Sequence, residues 1–77
     1  MNKERRKTLD KAIALLEEAK SLLEEVASEE QDAFDNMLEG LQQSDKGQAM
    51  EEAISELESA FEGVIDAIAS AENARGE

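Results

Sequence analysis

Between Met50 and Ala71 the residues Met50, Ile54, Leu57, Phe61, Val64, Ile68 and Ala71 alternate four and three positions apart without a miss. A stripe with that spacing stays on one side of an α-helix, forms a heptad seam, and needs a second helix to cover it. It excludes a strand, whose side chains change face at every residue. Ala53, Ala60 and Ala67 run beside the seam seven apart, and Ile65 widens its opposite flank. Gly63 inside this helix costs about 1 kcal/mol relative to Ala, which a close packing contact or, less simply, a functional kink would explain.

The covering helix lies earlier in the chain. Leu9, Leu16, Leu23, Glu30 and Met37 recur every seven residues, and Ala12, Ala19, Val26 and Ala33 repeat three positions further on. Ile13, Ala27 and Phe34 widen the stripe on one side, Leu15 and Leu22 on the other. Most of the remaining positions are Glu, Lys and Ser, which suit a solvated helix face. Good helix formers dominate throughout.

Residues 35–47 separate the two segments and hold Gly40 and Gly47, two of the four glycines. The spacing predicts helix 1 over about residues 4–37, a turn over 38–45 and helix 2 over about 46–73, in one domain spanning residues 1–77. Asp45 and Gln48 have the spacing of a capping box, with Ser44 as the competing N-cap. Gly40 is expected as a left-handed residue past the end of helix 1, with Asn36 as an earlier candidate. Residues 38–43 suit a separate short helical turn, and Gly76 should end helix 2. The expected fold class is all-α: an antiparallel two-helix hairpin assembling as a homo-oligomeric helical bundle. Oligomerisation is expected because two helices offer each other one face. Leu15, Leu22 and Ile65 would otherwise stay wet, and burying one such side chain is worth about 1.5–3 kcal/mol.

Composition narrows the function. The chain has no histidine, cysteine, proline, tryptophan or tyrosine. It therefore lacks the commonest general base, the cysteine nucleophile and the thiolate ligand, so an enzyme is not expected, nor a cofactor or metal. The net charge of −12 repels nucleic acid and anionic membrane. No apolar run approaches the length of a membrane span, so a cytoplasmic location is expected.

The charge is unevenly placed. Lys3, Arg5, Arg6, Lys7 and Lys11 against Glu4 and Asp10 give residues 1–11 a formal +3, leaving −15 for the rest of the −12 total. Cations at a helix N-terminus oppose the macrodipole, so something should compensate them. A bound phosphate held by Arg5, Arg6, Lys7 and the helix N–H groups is one candidate. The acidic residues Asp32, Asp35 and Glu39 of a neighbouring chain in an antiparallel dimer are the other. Glu30 interrupts the leucine series, either because the stripe drifts to the surface near the helix end or because a polar pocket lies near the turn. The acidic faces either keep the chain solvated or imitate nucleic acid phosphates.

The run Asp35-Asn36-Met37-Leu38-Glu39-Gly40-Leu41-Gln42-Gln43-Ser44-Asp45-Lys46-Gly47 resembles a pattern of small acidic bacteriophage and prophage proteins, roughly Asp-Asn-Met-Pro-Glu-x-Leu-Gln-x-Ser-Glu followed by a basic residue. The opening residues 2–7, Asn-Lys-Glu-Arg-Arg-Lys, are similar too. Leu38 stands where that pattern has proline, so helix is expected to continue further through this turn. The resemblance implies a phage accessory protein in the cytoplasm of a bacterial host, a class rich in counter-defence proteins. The expected mechanism is sequestration of a phosphate-bearing nucleotide signal by an oligomer. Its ligand set would be Arg5, Arg6 and Lys7 with the amides of Asn36, Gln42 and Gln43 from the turn. The alternatives are an acidic mimic or protein-binding inhibitor of a host defence or DNA-handling protein, and a structural assembly module.

Overall fold

The computed structural model describes residues 1–76 and is helical apart from short connections, with no strand among the described residues. Three helices follow one another: α1 over Lys3–Asp35, α2 over Glu39–Gln42 and α3 over Asp45–Arg75. At 1.5 Å per residue, α1 and α3 are each about 46–50 Å long. The molecule measures 58 × 14 × 14 Å, so the two long helices lie side by side.

Each helix end has a local cause. The Asn2 side chain accepts a 2.8 Å hydrogen bond from the Arg5 N–H and starts α1. Glu4 puts one negative charge in that first turn, where the dipole favours it. The helix ends two residues before the expected Met37. The Asn36 N–H still reaches the Asp32 carbonyl, but the Met37 N–H turns back to Phe34 instead. Leu38 then leaves the helical region altogether, with φ −61° and ψ 142°. Helix therefore does not continue further through the turn as expected from Leu38, because Leu38 adopts an extended, proline-like backbone.

The short helix expected within 38–43 is α2. The Leu38 carbonyl accepts from both Leu41 and Gln42 N–H groups. Gly40 lies inside α2 and has no positive φ, and Asn36 is right-handed with φ −85°. The left-handed cap expected at one of them is absent, since Leu38 makes the reversal in extended conformation. Ser44 is the N-cap of α3, its hydroxyl accepting from the Gly47 N–H at 3.3 Å. Asp45 therefore takes the first helical position, and the Gln48 amide donates to the Gln43 carbonyl at 3.5 Å in place of a capping box. Gly76, at φ 72°, ends α3 as expected.

Gly47 is buried in the corner between α2 and α3. A Cβ there would lie 2.6 Å from the Leu41 carbonyl oxygen and closer still to that of Gln42, so the corner closes only on glycine. Gly63 is the opposite case. A Cβ there meets nothing within 4 Å, so the close contact expected at this glycine is not made within the chain.

The core is thin. Among the described residues Ile54 and Ile68 are the only buried hydrophobic side chains, and Leu9, Leu16, Leu23, Phe34, Met50, Leu57, Phe61 and Val64 are half-buried. Leu15, Leu22 and Ile65 are 66%, 54% and 40% exposed, as the width of the stripes implied. Val26, expected in the packed face, is 49% exposed, because it lies on the flank of Leu22 rather than on that of Leu23. Glu30 is half-buried. At the other end Arg75 grips the Asp10 carboxylate through Nε and the adjacent terminal nitrogen, joining the start of α1 to the end of α3.

Candidate functional site

The N-terminal turns of α1 gather the basic side chains. Arg5 and Lys7 are exposed and Arg6 is half-buried. Among the described residues none of the three forms an ion pair. The Arg6 Nε is shielded from solvent and has no hydrogen-bond partner among the described residues. Arg5 borders an open groove of about 490 Å³ shared with Met1, Thr8 and Leu9, and Lys7 borders a second with Lys3 and Glu4. The Lys3 and Glu4 N–H groups precede the first intrahelical bond, which Arg6 makes to the Asn2 carbonyl. Arg5, the free amide donors and the apolar shelf of Met1 and Leu9 can together receive an anion with a flat apolar part, while Arg6 and Lys7 stand about 100° and about 200° further round the helix and do not line that groove.

Beside them the Arg75 guanidinium, donating to Asp10 and attracting it, holds that carboxyl below its usual range and is itself raised in turn. The sequence reading missed this pair. Its only signal was one acid early in α1 and one base late in α3, which alignment of the two seams brings level.

The turn residues lie elsewhere. Asn36 caps α1 and is exposed, as is Gln43. Gln42 is half-buried, and its amide nitrogen donates to the Phe34 carbonyl at 2.9 Å, pinning α2 onto α1. One of that nitrogen's two N–H groups is therefore committed to the fold, while Asn36 and Gln43 are accessible. Arg5 and Asn36 are separated by most of α1, about 46 Å of helix. Arg5, Arg6 and Lys7 thus share the first turns of α1 without converging on one groove, and Asn36, Gln42 and Gln43 share the turn. The two sets lie at opposite ends of one chain.

The ends differ in charge. Around the turn, Glu29, Glu30, Asp32, Asp35, Glu39 and Asp45 against Lys46 give a formal −5, facing the +3 of residues 1–11 at the far end. Midway, Glu24, Glu58 and Glu62 rim a groove floored by Ala27 and Phe61. No helix among the described residues is long and apolar enough to cross a membrane. No family model, curated protein or solved structure matches the chain.

Proposed function

We propose that the protein is a non-enzymatic binding protein of the phage counter-defence type. In this reading antiparallel hairpins assemble into a homo-oligomeric bundle, and the assembly holds a phosphate-bearing nucleotide signal in the bacterial cytoplasm. The observation that carries the reading is the cluster of Arg5, Arg6 and Lys7 at a helix N-terminus, where local helix stability disfavours cations and no described acid pairs with them. Charge-assisted bonds to phosphate would compensate it. Asn36 and Gln43 lie at the opposite end of the rod and join such a site only from another chain. Gln42 then acts as a scaffold through its bond to Phe34.

The test is a panel of linear and cyclic mono- and dinucleotides in equilibrium dialysis against the wild type and an Arg5→Ala/Arg6→Ala variant. The wild type should retain at least one nucleotide. The double variant should lose it with helicity and oligomer size unchanged. Retention by both, or by neither, rejects the reading.

A second reading is supported by the groove of Glu24, Glu58 and Glu62 over Phe61. An acidic rim on an apolar floor suits a basic surface of a host defence protein. Under that reading the arginine variant keeps its counter-defence activity, and neutralising Glu24, Glu58 and Glu62 removes it.

A further inference from the structure

Leu15, Leu22 and Val26 belong to two interleaved seven-residue series on α1, Thr8–Leu15–Leu22 and Ala12–Ala19–Val26–Ala33. Leu22 and Val26 each stand two residues from Glu24, about 160° around the helix at 3.6 residues per turn. Ala60 stands in the same relation to Glu58 and Glu62, and Ala53 and Ala67 share its flank. Because Glu24, Glu58 and Glu62 border one groove, the opposite flanks of both helices form the other side of the rod. One side is therefore acidic, and the other is a sheet of Leu, Val and Ala.

The elongated chain has surface to spare for a partner. The chain exposes 5783 Å², against about 4,600 Å² for a folded monomer of 8.4 kDa. The excess, roughly 1,200 Å², exceeds the ~800 Å² that each partner contributes to a standard interface. A flat face on a narrow rod is self-complementary, which suits a twofold pair. Charge then selects the orientation. A partner turned end for end sets the +3 of residues 1–11 against the −5 around the turn, whereas rotation about the long axis sets like against like.

We propose that two copies pair through the Leu15–Leu22–Val26 side of α1 and the Ala60–Ala67 side of α3, end for end, with α1 packed antiparallel on α1. This rests on the oligomeric reading above and adds its face, direction and register. Centring the pair between Ala19 and Leu22 sets Leu15 opposite the partner's Val26, Leu22 opposite the partner's Ala19 and Thr8 opposite the partner's Ala33, with Ala12 opposite the partner's Glu29. The same register sets Arg5 opposite the partner's Asn36. Arg5 thus meets the partner's turn as a consequence of how the apolar residues pair, while Arg6, about five turns before Glu24, stays on the acidic side.

The chain has no cysteine, so thiol cross-linking can read the register. Thr8 and Ala33 are about 37 Å apart along one helix, too far to be bridged within a chain. A Thr8→Cys/Ala33→Cys variant treated with a short bismaleimide should give a covalent dimer, and neither single variant should. By light scattering, Leu22→Glu should reduce the dimer to 8.4 kDa with helicity retained, since that side chain is already 54% exposed in one chain. Ile65→Glu, on the acidic side, should leave the dimer intact. A wild-type chain that runs as a monomer overturns this proposal and the oligomeric reading together. A wild-type dimer that survives Leu22→Glu, fails to cross-link in the double variant, or cross-links in a single variant overturns only this one.

Discussion

Gly47 and Gly63 carry the same side chain and opposite expectations. Adding a methyl at Gly47 drives it into the Gln42 carbonyl, and overpacking of that kind costs about 1–3 kcal/mol. Adding one at Gly63 meets open space and removes the entropic cost of glycine in a helix, a gain of roughly 1 kcal/mol. Thermal unfolding at fixed chain concentration should therefore move down for Gly47→Ala and up for Gly63→Ala, by about 4–8 °C per kcal/mol. Only part of this was legible in the residues. Gly47 stood out as a break in the pattern, but its obstacle is a carbonyl five residues earlier that only the folded corner brings close. Asp10 makes a separate prediction. Its carboxyl is held below the ordinary value of 3.8, chiefly by the hydrogen bonds from Arg75. Its contribution to stability is therefore complete above that value and lost as the pH falls through the lowered one. Asp10→Asn should unfold more easily than the wild type at neutral pH, and the difference should close as the pH falls below 3.8.

The elements are where spacing was most informative. Alternating four- and three-residue intervals specify helix and nothing else, so both long helices were readable to within two residues. What spacing does not encode is the choice among competing caps. Ser44 and Asp45 are both good N-caps, and the chain uses Ser44 because Gly47 lets α3 begin tightly against α2. Ser44→Ala should cost about 0.5–2 kcal/mol. The Leu38 backbone already has the dihedral angle of proline and its side chain is 75% exposed. Leu38→Pro should therefore raise the melting point, by about 0.4–1 kcal/mol of stabilisation from a stiffer unfolded chain. The commitment of the Gln42 amide to Phe34 was not readable in advance, because it joins residues eight apart across a change of direction. Gln42→Ala should cost about 0.5–1.5 kcal/mol in unfolding experiments.

The whole molecule is a narrow rod with its cations at one end, its densest acids at the other and little interior. The charge division was plain in the residue order. The distance over which it acts was not, since it depends on both long helices lying level. If the end-for-end pair forms, raising the salt concentration should weaken it, because attraction between exposed charges is screened within about 10 Å at 0.1 M salt. Dilution series at low and high salt, followed by light scattering, measure that directly. The grip of Arg75 on Asp10 has a practical side as well. It places Met1 and Gly76 at the basic end, so an affinity tag or a fused fluorescent protein attached at either would crowd Arg5, Arg6 and Lys7. A reporter spliced into the loop at Leu38 would stand at the opposite tip, and a short linker joining residue 76 to Met1 would close the chain into a circle whose new ends could be opened there.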